Sequence, residues 1–60
     1  MVIYIKDIQR ITGRGSRYSR NLINKIRVSL GKSKQDLISV KEFCKYMNLS
    51  EEEVIQFLKH

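Results

Sequence analysis

Apolar positions recur at helical spacing in four stretches of the chain, and each stretch is bounded by a glycine, a capping residue or a polar turn. The first opens with Val2-Ile3-Tyr4-Ile5, a β-branched and aromatic run that predicts the start of a short strand. Ile5, Ile8 and Ile11 then share one side of a helix predicted over Ile5–Thr12, and Gly13 stops it. Gly13-Arg14-Gly15 reads as a tight turn, because two glycines give the backbone access to left-handed conformations, so a second helix leaves at a steep angle to the first. Ser16 or Ser19 is expected to cap that helix, which runs to Leu30 and ends at Gly31. Its apolar side collects Tyr18, Leu22, Ile23, Ile26 and Leu30.

The polar stretch Lys32–Asp36 predicts a loop that returns the chain to a short strand at Leu37-Ile38-Ser39, placed to pair with Ile3–Ile5. Ser39-Val40-Lys41-Glu42 and Ser50-Glu51-Glu52-Glu53 both fit the capping box, in which serine caps the backbone and a glutamate three residues on reaches back. They predict a third helix over Val40–Met47, burying Val40, Phe43, Cys44 and Met47. A fourth runs from Glu51 to about Lys59 and buries Val54, Phe57 and Leu58. Glu51, Glu52 and Glu53 then sit at the positive end of a helix dipole, a structural use of their charge. Tyr4, where the first helix begins, is a poor cap.

IYIKDIQRITG, Ile3 to Gly13, aligns with ISVKEFCKYMN, Ile38 to Asn48, at an offset of 35. The match pairs Ile3 with Ile38, Ile5 with Val40, Lys6 with Lys41, Asp7 with Glu42, Ile8 with Phe43 and Arg10 with Lys45. Two readings stay open: two helix-turn-helix units packed back to back, or the generic pattern of any short strand leading into an amphipathic helix. The fold class expected is therefore mainly α, with about four short helices and a two-stranded β pairing.

A chain of 60 residues makes one small domain, residues 1–60, with a thin core and no room for a deep catalytic cleft. Hydrophobic residues at 42% and charged residues at 30% are ordinary for a folded domain and too apolar for a disordered tail. A single cysteine, Cys44, forms no internal disulfide and, with a single histidine, His60, makes no zinc site; Cys44 reads as a core residue and His60 as a frayed terminus. No serine stands in a hydrolase-like setting, and there is no phosphate-binding glycine loop with a lysine. We expect no catalysis, no metal and no cofactor. The longest apolar run, Val2 to Ile5, is far short of a membrane span, so a cytoplasmic protein without a membrane partner is expected.

Net charge changes the picture once it is divided. Residues 1–35 hold nine cations and the single anion Asp7, whereas residues 36–60 hold Lys41, Lys45 and Lys59 against Asp36, Glu42, Glu51, Glu52 and Glu53. A fold that separates these halves has one cationic face, which concentrates polyanions. The polar side of the second helix gathers Arg17, Arg20, Asn24 and Arg27, flanked by Asn21 and Lys25. Arginine reads guanine O6 and N7, and asparagine reads adenine N6 and N7, so these types on one face suit a major groove. Val28 interrupts that side, either packing against the neighbouring loop or meeting a thymine methyl. Arg17 and Arg20 stand near the positive helix start, where a phosphate relieves their repulsion.

YIKDIQRITG, a Gly/Ser/Arg turn, a basic helix ending LGK, and LISVKEFCKYMNLSEEEVIQFL together resemble the small excisionase-like helix-turn-helix proteins of bacterial mobile elements, which are related to the DNA-binding part of MerR regulators. The likeness covers nearly the whole chain. It implies a winged helix-turn-helix whose second helix enters the major groove of double-stranded DNA while a short loop or β-hairpin touches the backbone. The function implied is that of a recombination accessory factor working beside a site-specific recombinase, or of a small transcription regulator. On this resemblance the DNA-binding set is Arg14, Ser16, Arg17, Tyr18, Arg20, Asn21, Asn24, Lys25, Arg27, Lys32 and Lys34, with Lys32 and Lys34 in the wing-like loop. The chain stops at His60, short of the dimerising helix and effector domain of full MerR regulators, so ligand sensing is not expected. A protein-interaction module acting through Glu51–Glu53 or Tyr46 is the alternative. A membrane-surface helix or a single-strand RNA binder ranks below both, for want of anchoring and stacking aromatics.

Overall fold

A computed structural model of the protein describes residues 1–59, so His60 and the reading of it as a frayed terminus lie outside the described residues. Its elements run β1 (Val2–Ile3), α1 (Ile5–Thr12), α2 (Ser16–Ser29), β2 (Ile38–Ser39), α3 (Val40–Met47) and α4 (Glu51–Leu58). The protein is mainly helical, with β1 and β2 paired antiparallel, Val2 opposite Ser39 and Ile3 opposite Ile38. A radius of gyration of 10.7 Å matches the roughly 10 Å expected of a folded chain this long.

Each helix end has a local cause. Gly13 adopts φ 70° and its N–H donates to the Gln9 carbonyl, closing α1 in the left-handed conformation that glycine tolerates best. Gly31 does the same past α2 at φ 69°, with Lys32 N–H donating to the Arg27 carbonyl and Gly31 N–H to that of Val28. Ser39 Oγ accepts from Glu42 N–H while Glu42 Oε1 accepts from Ser39 N–H, a complete capping box on α3. Tyr4 contributes no side-chain cap, yet Asp7 Oδ2 accepts from Tyr4 N–H at 2.9 Å and supplies half of the same arrangement.

The offset of 35 seen in the sequence is carried into the fold. α1 and α3 are both eight residues long, both end on a left-handed residue, Gly13 and Asn48, and both lead into a second helix whose cap, Gly15 or Ser50, keeps the offset. The same shift takes Ile3 onto Ile38, its cross-strand partner, so the local two-fold axis of the strand pair relates equivalent residues.

The core is formed by Ile3, Ile8, Leu22, Ile23, Ile26, Ile38, Val40, Phe43, Cys44 and Val54, with Ile11, Met47, Ile55 and Leu58 packed at its margin. Phe43 is wholly enclosed, so the acidic half supplies the surface on which α1 and α2 close. Several expectations are corrected here. Leu30 is exposed, because α2, at fourteen residues, overhangs the core at both ends and only Ser19, Leu22, Ile23 and Ile26 are buried on it; Tyr18, placed both on the apolar side and in the DNA-binding set, is exposed at the other end. Phe57 is half exposed, lying against Arg10 rather than under a second layer. Leu58 and Met47 are only half-buried, and α4 ends at Leu58. No helix of the described residues is long and apolar enough to cross a membrane.

Candidate nucleic-acid interface

α2 presents two chemically distinct sides. Ser19, Leu22, Ile23 and Ile26, spaced i, i+3, i+4 and i+7, face the core, and Arg17, Arg20, Asn21, Asn24, Lys25 and Val28 are exposed. No acidic residue stands in its first turn. Neither candidate serine caps it. Gly15 is the N-cap, Ser16 is the exposed first helical residue, and Ser19 is enclosed, its hydroxyl donating back to the Gly15 carbonyl at 3.0 Å. The burial of Ser19 was visible in principle, since it continues the stripe Leu22, Ile23, Ile26 one turn toward the N-terminus.

The uncapped start of α2 therefore offers backbone N–H groups and a positive dipole end to solvent. Arg14 hangs above this end with its guanidinium 4.3 Å from the centroid of the Tyr18 ring, a cation–π contact that holds the turn against the helix. Arg17 and Arg20 extend the cationic surface along the first two turns. Val28, 80% exposed, does not pack against the loop, which leaves an apolar contact on the polar side of the helix.

The loop after α2 is held in place by three sets of bonds. Asp36 N–H donates to the Ser33 carbonyl and Asp36 Oδ2 accepts from Ser33 N–H, closing a turn. Arg27 Nε donates to the Asp36 carbonyl at 3.0 Å, fastening that turn to α2, and Arg27 Nη1 donates to Asn24 Oδ1 at 3.1 Å. Lys32 Nζ donates to the Leu37 carbonyl at 2.8 Å and to Glu42 Oε1 at 2.7 Å, fastening the loop to α3. The Glu42 carboxyl is held below the usual range by the Lys32 ammonium and the Ser39 N–H, burial acting against them.

These bonds divide the predicted set. Arg14, Ser16, Arg17, Tyr18, Arg20, Asn21, Asn24, Lys25 and Lys34 are exposed, whereas Arg27 is half-buried and Lys32 is engaged in its ion pair. Lys32 is thus a structural cation, a role its place in a basic loop concealed. Asn24, Arg27, Val28, Lys32 and Lys34 line one hollow, so the loop does bring Lys34 alongside the exposed side of α2. It is not a β-hairpin: the strand that follows, β2, pairs with β1 at the chain start.

Two cations that the sequence reading set aside also adjoin this surface. Lys41 and Lys45 of α3, both exposed, line a hollow with Ser29 and Leu30 from the far end of α2, with Tyr46 and with Glu42, whose charge Lys32 already pairs. Their signal was periodicity: on α3 they fall off the stripe of Val40, Phe43 and Cys44. Cys44 itself is enclosed, its thiol pushed up by burial with a smaller contribution from the Glu51 charge, and is unsuited to nucleophilic work. Comparison of the chain with family models, with curated proteins and with solved structures gave no match.

Proposed function

We propose that the protein is a sequence-specific binder of double-stranded DNA, a small winged helix-turn-helix of excisionase-like type. It serves as an accessory factor beside a site-specific recombinase or as a regulator of transcription, and carries no enzymatic activity. The observation that carries this reading is the exposed side of α2, where Arg17, Arg20, Asn21, Asn24 and Lys25 stand together with no carboxylate among them. An α-helix with its side chains is about 10–12 Å across and the major groove about 12 Å wide, so α2 enters with these residues against base edges. Backbone contacts fall to Arg14, Ser16, Tyr18 and the N–H groups at the uncapped helix start, and to Lys34 in the role of a wing.

The test is selection from a random duplex library followed by titration of the selected site. Specific binders of this kind prefer their site by about 10³ or more over random duplex near physiological salt. Arg20→Glu should abolish that preference with the far-ultraviolet circular dichroism unchanged. A chain that selects no duplex, or whose preference survives Arg20→Glu, would defeat the proposal.

A second reading is supported at the other end of the molecule. Leu49 and Phe57 are exposed beside Glu53, and with Ile11, Ser50 and Val54 they line a shallow apolar hollow that a partner protein can fill. A function that persists in Arg20→Glu and disappears in Phe57→Ser would favour this protein-interaction module over DNA binding.

A further inference from the structure

We infer that Arg27 is not a base-reading residue but a positioning residue, which fixes the amide of Asn24 so that Asn24 meets a duplex as a hydrogen-bond donor. The geometry stands without DNA; its consequence for specificity rests on the reading of α2 given above.

Arg27 Nη1 donates to Asn24 Oδ1 at 3.1 Å across one helical turn. A guanidinium carries donors and no acceptor, so the opposite amide orientation would set Asn24 Nδ2 against Arg27 with donor facing donor. The orientation is therefore selected by chemistry, and a charge-assisted bond enforces it. Arg27 is in turn restrained, because its Nε is occupied by the Asp36 carbonyl and the Asp36 turn is closed on Ser33. Lys32 anchors the near end of the same loop to Glu42 of α3. A line of bonds thus runs from the acidic half through the loop to one side chain on the exposed side of α2.

Held in this way, Asn24 has one lone pair of Oδ1 committed and both Nδ2 hydrogens free of any protein acceptor. It should favour base edges that present acceptors, which are purine N7, guanine O6 and thymine O4, over the amino donor of cytosine N4. Asn21, exposed one turn earlier on the same helix, has no such restraint and serves as an internal control.

Two measurements test the inference. In the free protein, ¹⁵N relaxation of the side-chain NH₂ groups should give Asn24 an order parameter above about 0.6 and Asn21 one below it. Arg27→Lys keeps the charge but loses the fork, and should lower Asn24 to the level of Asn21. Equal mobility of the two amides in the unsubstituted protein overturns the inference. On the selected duplex, the base pair facing residue 24 is found as the one whose preference vanishes in Asn24→Ala, and it is then varied. The unsubstituted protein should disfavour a cytosine edge there by about tenfold. Arg27→Lys should hold its affinity for random duplex within about twofold while losing most of that discrimination. Full discrimination in Arg27→Lys overturns the inference. If no duplex is selected at all, the DNA reading fails, and the relaxation measurement alone decides the role of Arg27.

Discussion

Lys32 donates to Glu42 Oε1 at 2.7 Å, and the same oxygen accepts the Ser39 N–H, so one carboxylate joins the loop after α2 to the start of α3. The Lys32 ammonium first, then the Ser39 N–H, depress its folded-state pKa. The stabilisation is therefore complete above the ordinary glutamate value of about 4.3 and is lost as pH falls through the lowered folded value. Denaturant midpoints should fall on acidification from pH 6 to pH 3 by more in the unsubstituted protein than in Glu42→Gln. An equal fall in both would show that the pair contributes nothing to acid sensitivity.

The division of cations into engaged and exposed sets a salt dependence. With Lys32 in its ion pair and Arg27 fastened to Asp36, the cations that the proposed mode brings to the duplex, at base edges or at phosphates, are Arg14, Arg17, Arg20, Lys25 and Lys34. Five cations that displace counterions from the duplex give a slope of log affinity against log salt of about −4.5. Lys34→Ala should weaken binding to selected and random duplex alike, whereas Lys32→Ala should act mainly by lowering stability. A slope near zero on duplex would remove nucleic acid as the partner.

The two phenylalanines should behave differently. Phe43 is wholly enclosed, and Phe43→Ala should cost about 3–5 kcal/mol, enough to unfold much of a domain this small. Phe57 is half exposed, its ring facing the Arg10 guanidinium at 5.9 Å, and Phe57→Ala should cost no more than about 1 kcal/mol. Thermal melts followed by circular dichroism separate the two. A folded Phe43→Ala protein would contradict the bracing of α2 by the acidic half.

Gly13 and Gly15 flank Arg14 with opposite backbone requirements. Gly13 sits at φ 70° with open space where a Cβ would project, so Gly13→Ala should cost about 1–2 kcal/mol from backbone strain alone. Gly15, the N-cap of α2 at φ −76°, accepts a side chain, and Gly15→Ser should add a few tenths of a kcal/mol by capping the helix. Urea unfolding of both variants checks the pair, and equal destabilisation would mean that the turn is held by something other than the left-handed glycine.

The start and stop residues were the most legible part of the sequence. Gly13, Ser39 and Ser50 are local devices whose geometry depends on a few neighbours, so α1, α3 and the first turn of α4 lie where the pattern put them. Burial was less legible. Tyr18, Leu30 and Phe57 belong to apolar stripes, but whether a stripe is covered depends on the reach of elements distant in sequence, and in a domain of this size those elements are short. Ser19 shows the converse, a polar residue enclosed because its hydroxyl finds a carbonyl one turn back. On the candidate site, residue type and helical face identified the exposed cations. The engagement of Lys32 and Arg27 was hidden, because it depends on how the loop after α2 folds back, Asp36 onto Arg27 and Lys32 onto Glu42 of α3.

Ile3 and Ile38 face each other across the strand pair although 35 positions separate them in the chain. During synthesis the basic helix α2 is made before β2 exists to hold β1, and before Phe43 exists to complete the core to which Ile8 and Ile26 belong. A chain interrupted after α2 has too little apolar surface to fold and most of the cations of the whole. Such a fragment would attract any polyanion without discrimination and lie open to proteases. Whatever selectivity α2 possesses is acquired late, when the acidic segment leaves the ribosome and closes the pair.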